Sequence, residues 1–148
     1  MIHYVSGNMF EGNYDALVNA VNCVGVMGKG LALQFKNRYP RNYEAYRTLC
    51  QTRDFQPGGL HITKFSGDPY IINFATKDHW KNPSQLSYIE SGAMRLAKFL
   101  KCKPNIRSIA IPKLGCGLGG LRWYDVRQIL EKYLSDVETD IYLFGEKG

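Results

Sequence analysis

Cysteine is sparse and unpatterned in this 148-residue chain. Cys23, Cys50, Cys102 and Cys116 form no CxxC, and none has a histidine nearby at zinc-ligand spacing. A disulfide scaffold and a zinc module are therefore excluded as organising principles, no metal is expected, and the thiols read as reduced. Only three histidines are present, and His3 and His61 sit in strand-like runs without a second ligand at a useful interval. No stretch approaches the ~20 apolar residues that cross a bilayer. The start, Met1 to Ser6, enters strand-like sequence directly, without a basic region and a long apolar run. No membrane contact is expected, and the location expected is cytoplasmic. Repeats, low-complexity tracts and linkers are missing too, which leaves one domain over 1–148. Acidic residues fall short of basic ones, 13 against 19, for a net charge of +6. That balance favours polyanionic partners, although many basic enzymes bind no nucleic acid.

What is present is a well-supplied core, with 45% hydrophobic and 13% aromatic residues, arranged as alternating strands and helices. Aliphatic runs predict strands at Ile2–Ser6, Ala16–Ala20, Leu60–Phe65, Tyr70–Ala75, Ile106–Pro112 and Ile141–Phe144. The two middle runs read as a hairpin or an adjacent pair, and Ile106–Pro112 as a central strand. Helical spacing predicts helices over Gly30–Arg38, Asn42–Cys50, a long one capped by Ser84, and Trp123–Leu134. This alternation implies a three-layer α/β/α sandwich. In such folds the ligand crevice lies beyond the carboxyl ends of the strands, so the loops that follow strands matter most.

Two of those loops are rich in glycine. Asn19 to Gly30 leads from a strand into a helix, with Gly28, Lys29 and Gly30 at the helix start, where unpaired amides attract an anion. It lacks the GxxxxGK[ST] frame of a Walker A loop. Pro112 to Gly120 follows another strand and places Gly115, Gly117, Gly119 and Gly120 around Cys116 and Leu118, a backbone cradle suited to a phosphate or diphosphate. Either loop alone also fits an unliganded turn. Two of them on one small sheet point to a ligand with a diphosphate in its middle.

Three segments, Val5-Ser6-Gly7-Asn8-Met9-Phe10, Leu17 to Asn22 followed by Gly28-Lys29-Gly30, and Leu114 to Gly120, resemble the macrodomain family in motif and order over essentially the whole chain. Lys77 after Ile72-Asn73-Phe74-Ala75-Thr76, and Gly-Cys-Gly-Leu followed by Trp123, resemble the branch containing DarG-type antitoxins and terminal ADP-ribose glycohydrolase. The resemblance implies a central mixed sheet, ADP-ribose as ligand and product, and removal of ADP-ribose from thymine-linked positions in DNA. It also implies a cognate ADP-ribosyltransferase toxin as partner. It implies no cofactor, and a monomer is expected.

Carried over residue by residue, the resemblance gives Asn22 to the distal ribose and Asn8 to the adenine amino group, where many relatives have aspartate. It gives Gly28, Lys29, Gly30 and the run Gly115, Cys116, Gly117, Leu118, Gly119, Gly120 to the diphosphate. Lys77 becomes the catalytic residue, either a neutral amine attacking the anomeric carbon or a charged electrophile. A nucleophilic lysine must shed its proton, which desolvation or neighbouring cations such as His79, Lys81 or Lys113 would favour. Read without the family, Lys77 is better described as a solvated lysine at a strand end, as most lysines are. Where terminal ADP-ribose glycohydrolase has an aspartate after Gly-Cys-Gly-Leu, this chain has Gly119. His79, Trp80, Lys81, Arg122 and Trp123 combine cations with aromatics, as single-stranded nucleic acid sites do, so single-stranded ADP-ribosylated DNA is the expected substrate. Either tryptophan could instead serve the core or a helix start. Cys116 reads as chosen for its size, since no base stands near it. The other functions compatible with the same pocket are an ADP-ribose-1″-phosphate phosphatase, an O-acetyl-ADP-ribose deacylase, and a non-catalytic ADP-ribose reader.

Overall fold

The computed structural model describes residues 1–148. Six strands form one sheet: β1 (Ile2–Tyr4), β2 (Ala16–Val21), β3 (Leu60–Thr63), β4 (Tyr70–Ala75), β5 (Ser108–Ile111) and β6 (Asp140–Leu143). Their spatial order is β1-β6-β5-β2-β4-β3. Every neighbouring pair is parallel except β3 with β4. Five strands therefore end at the same edge, and the loops that follow them are gathered there. Helices α1 (Gly30–Arg38) and α2 (Pro40–Gln51) lie between β2 and β3 in the chain, α3 (Leu86–Lys101) between β4 and β5, and α4 (Trp123–Leu134) between β5 and β6. No helix is long and apolar enough to cross a membrane.

The period-two alternation of the strands builds the two halves of the core. Ala16, Val18, Ile72, Phe74, Ile109 and Ile111 pack with the apolar stripes of α3 and α4. Their sequence neighbours Leu17, Val21, Ile71, Ala75 and Ala110 pack on the other face with Phe35, Tyr46 and Cys50 of α1 and α2. Both faces of the central strands are covered, the three-layer arrangement that the sequence implies. Gly92 in α3 is where the layers approach most closely, because a Cβ there would overlap the Phe74 ring. An alanine would force that ring off its seat, an overpacking cost of ~1–3 kcal/mol.

The predicted elements are all present, with shorter ends in places. The Ile106–Pro112 strand is paired only over Ser108–Ile111, and β5 is one of the two central strands. The run at Ile2 forms an edge strand covering only Ile2–Tyr4, half-buried rather than enclosed on both faces. Pro40 opens α2 at its first turn, where its missing N–H costs nothing. The cap proposed for α3 is corrected: Gln85 occupies the N-cap without a side-chain cap bond. Ser84 is instead turned under the loop that follows β5.

One polar cluster is enclosed in the α1/α2 half. Asn73 of β4 donates to Asn42 of α2 (2.9 Å) and to His61 Nδ1 of β3 (3.0 Å), and Thr63 donates to Asn42 (2.8 Å). Burial pushes the His61 pKa below the ordinary imidazole value, which keeps Nδ1 free to accept. These bonds explain how asparagines are tolerated in the interior.

Candidate functional site

Three loops, following β2, β4 and β5, are tied together at the carboxyl edge of the central strands. The Thr76 amide donates to Val21 O (2.9 Å) and the Cys23 amide to Asp78 O (2.9 Å), joining the first loop to the second. The Ser84 amide donates to Gly119 O (3.0 Å), joining the second to the third. The segment carrying Lys77 thus runs between the two glycine loops.

In the first loop Asn22 acts as an internal brace. Its Oδ1 accepts from the amides of Val24 (3.1 Å) and Val26 (3.3 Å) and from the Tyr46 hydroxyl (2.8 Å). Its Nδ2 donates to Val26 O (2.8 Å), which leaves one amide proton for a ligand. Beyond this turn Lys29 stands at the N-cap of α1 and supplies no side-chain bond. Gly30 adopts φ of 55°, in the left-handed region that glycine tolerates. The amides of Gly30, Leu31 and Ala32 find no acceptor in the protein, so the helix start presents unpaired donors at this edge. Lys29 and Gly28 are exposed beside them.

The third loop is a self-supporting arch. Cys116 N donates to Lys113 O (3.1 Å), Gly120 N to Gly117 O (3.2 Å) and Leu121 N to Gly115 O (2.9 Å). The amides of Gly115, Gly117, Leu118 and Gly119 are left without a protein acceptor. Gly115 and Gly120 have φ of 73° and 80°. Leu118 is 78% exposed. Cys116 is half-buried, and burial lifts its thiol to about 11 despite the nearby Lys113. That is the opposite of an activated nucleophile, in agreement with its reading as a space-filling residue.

Lys77 is half-buried, and its Nζ donates to Trp80 O at 3.4 Å. Around it the second loop folds on itself: His79 Nδ1 accepts from the Lys81 amide (3.1 Å), its ring lies 5.1 Å from that of Trp80, and Lys81 Nζ sits 5.1 Å from the Trp80 ring. Trp80 is half exposed, a flat surface flanked by a cation. Arg122 is held by Asp125 (3.2 Å) on the solvent side of α4. Trp123 differs from Trp80. It is the first residue of α4, half-buried, and its indole N–H is spent on Glu146 O (2.8 Å). The helix-start alternative describes its setting, so Trp80 is the tryptophan offered to solvent. Asn8 lies beyond β1 and caps the turn Met9–Glu11, its Oδ1 accepting from Phe10 N (2.9 Å) with a lone pair to spare.

Several features at this edge lie outside the sequence expectations. A cavity of about 510 Å³ is lined by Val5, Gly7, Lys113, Phe144, Glu146 and others beside the arch. Val24 and Val26 of the first loop are exposed, an addition to Trp80 and Leu118, which the sequence already places at the site and which are exposed as well. Apolar residues amid glycines and lysines carry no periodic pattern from which such a rim could be read. Residues 22–29, 76–85 and 112–122 hold five cations, Lys29, Lys77, Lys81, Lys113 and Arg122, and one acid, Asp78; Lys113 is paired with Glu146 (2.9 Å) and Arg122 with Asp125 (3.2 Å). A second cavity of about 470 Å³ lies at the opposite edge, near Asp15, Tyr39, Lys64, Asp68 and Tyr70, away from all three loops.

The model of the family described as Macro domain matches residues 18–130. The chain belongs to the macro domain family. It is 46% identical over 148 residues to the DNA ADP-ribosyl glycohydrolase of Mycobacterium tuberculosis, covering 96% of this chain and 42% of that protein. The macrodomain thus spans less than half the length of that curated relative. Among solved structures it resembles the macrodomain of Mycobacterium tuberculosis DarG, with a TM-score of 0.91, 42% identity and 99% of each chain covered. It also resembles Thermosipho africanus DarTG in complex with ADP-ribose, with a TM-score of 0.86 and 35% identity over 96% of this chain and 41% of that one.

Proposed function

We propose that this macrodomain binds ADP-ribose and hydrolytically removes it from thymine bases of DNA, acting as the antitoxin to a DNA ADP-ribosyltransferase. The observation that carries the reading is the position of Lys77, on a loop stitched between two sets of unpaired backbone amides. A diphosphate held by the amides of α1 and of the arch leaves the distal ribose beside the loop that carries Lys77. In the reaction the bond from the anomeric carbon to the thymine nitrogen breaks, that nitrogen takes up a proton, and a water hydroxyl ends on the carbon. Lys77 acts at that carbon, and Gly28, Lys29, Gly30 and the Gly115–Gly120 run hold the diphosphate. Asn22 gives its remaining amide proton to the ribose, and Asn8 meets the adenine. Trp80, His79, Lys81 and Arg122 lie along the strand that carries the modified base, where the excess of cations suits phosphates and the exposed indole suits an unpaired base.

The test is turnover, side by side, of an ADP-ribosylated single-stranded oligonucleotide, an ADP-ribosylated protein and ADP-ribose-1″-phosphate. Release of ADP-ribose from the oligonucleotide well above the other two is the expected result. Tight ADP-ribose binding without turnover of any substrate would make the domain a reader, and phosphate release alone would make it a phosphatase.

A further inference from the structure

We infer that Ser84 is a positioning residue that couples the Lys77 loop to the arch over the diphosphate. The inference rests on the reading of the Gly115–Gly120 run as the diphosphate cradle, and it starts from an unpaired atom. Ser84 is 5% exposed, and its Oγ is fully enclosed without any hydrogen-bond partner. Buried hydroxyls are nearly always paired, and each exception calls for an explanation. Here the surroundings supply one.

The hydroxyl is seated inside the arch. A Cβ on Gly119 would overlap Ser84 Oγ and Gly115 O, and a Cβ on Gly115 would stand 3.2 Å from Ser84 Cβ and 3.3 Å from its Oγ. The Ser84 amide already holds Gly119 O, and Leu121 N holds Gly115 O. The hydroxyl is therefore enclosed by backbone that carries unpaired groups of its own, the amides of Gly115 and Gly119 among them. In this inference a small rotation of the arch as it closes on a diphosphate brings the amide of Gly115 or Gly119 within reach of Oγ, and the amides of Gly117 and Leu118 stay with the phosphates. Without ligand the hydroxyl is a cost to the fold. With ligand it locks the arch in its binding form and fixes the segment that leads back to Lys77. The cost in one state and the gain in the other bias the arch toward the ligand-bound arrangement.

This mechanism has a signature that an ordinary packing residue lacks. Ser84→Ala removes an unpaired polar atom from the free protein, so its unfolding midpoint should be unchanged or raised. The same variant should bind ADP-ribose about three- to ten-fold more weakly, the worth of one hydrogen bond made only in the complex. Ser84→Cys, which is somewhat larger and gives up most of the hydrogen bonding, should lose affinity at least as alanine does. Calorimetry with ADP-ribose and thermal unfolding of the ligand-free protein measure both quantities. Unchanged affinity in the alanine variant would overturn the inference, and so would a lowered midpoint accompanying the weaker binding. Full affinity in the cysteine variant would replace the hydrogen bond by shape alone. A parent protein that binds no ADP-ribose would instead remove the cradle reading, and this inference with it.

Discussion

Glycines 117 and 119 stand two residues apart in the same arch, yet substituting them should have different consequences. A Cβ on Gly117 meets nothing within 4 Å, and no positive φ is required there. A Cβ on Gly119 would overlap the Gly115 carbonyl and the Ser84 hydroxyl. Gly117→Glu therefore adds a charge to an intact loop, whereas Gly119→Ala reshapes the loop itself. A carboxylate ~6 Å from a doubly charged diphosphate is repelled by ~1.4 kcal/mol in bulk water and by ~5 kcal/mol at the effective dielectric of a protein surface. Because Gly117 is exposed, the lower part of that range applies, roughly a ten- to hundred-fold loss of ADP-ribose affinity with little change in the unfolding midpoint. Gly117→Ala separates charge from bulk and should bind nearly as the parent does. Added salt should recover part of the loss in the glutamate variant, since exposed charges are screened. Gly119→Ala should lose affinity without any added charge, show no recovery with salt, and cost ~1–3 kcal/mol of stability from overpacking. The assay is calorimetric titration of all three variants at low and high salt, with thermal unfolding alongside. Parent affinity in Gly117→Glu at low salt would refute the diphosphate cradle.

Three further outcomes follow from the same geometry. Lys77→Ala should lower kcat on ADP-ribosylated oligonucleotide by ~10²-fold or more while leaving the Kd for ADP-ribose nearly unchanged; comparable losses in both would make Lys77 a binding residue. Trp80→Ala should cost ~1–3 kcal/mol on the oligonucleotide and little on free ADP-ribose, and the oligonucleotide should show the steeper loss with salt; parallel salt slopes and equal losses would argue for a different polymer. Burial raises the Cys23 thiol to about 12 and the Cys116 thiol to about 11, so both hold their protons, and alkylation near pH 8 followed by mass spectrometry should modify exposed Cys102 first. Reaction at Cys23 and Cys116 should begin only as the pH climbs toward those values, and rapid labelling of Cys116 near neutrality would reopen a nucleophilic role for it.

The fold was legible in the sequence where one periodicity dominated. The stripe Ile89, Ala93, Leu96, Ala97, Leu100 could only be a helix packed on one side, and Val126, Ile129, Leu130 and Tyr133 repeat that logic in α4. There Val126 and Leu130 are fully buried together with Leu134, while Ile129 and Tyr133 are half-buried. Strand ends were less legible, because Ile106 is buried like Ile109, Ala110 and Ile111 yet lies before the paired run of β5. The glycine loops could be found but not their wiring. Nothing local to Asn22 indicates that the Tyr46 hydroxyl, 24 residues on, will stand within hydrogen-bond reach of both its carbonyls. Ser84 had the right residue type and spacing for a helix cap, and lost that role because the arch after β5 needed something beneath it. A tertiary demand overrode a local preference, and the place where it did so lies at the candidate site.

That override also accounts for the residue at 119. The resemblance to the branch containing terminal ADP-ribose glycohydrolase implies, in that enzyme, an aspartate after Gly-Cys-Gly-Leu that assists its lysine. Here the arch closes on Ser84 so tightly that position 119 has no room for a Cβ, let alone a carboxylate. The glycine is thus required by the local geometry, and it removes the acid from this loop. Of the three loops only the second retains a carboxylate, Asp78, next to Lys77 in sequence and anchored through its carbonyl to Cys23. Arg122 occupies Asp125 at the start of α4, so that acid is engaged as well. On the proposed reading of Lys77, a lysine served by so few carboxylates depends on substrate positioning for more of its rate, and two sets of backbone donors would supply that positioning. The loss of an assisting acid and the tight seating of Ser84 are then one structural fact seen from two sides.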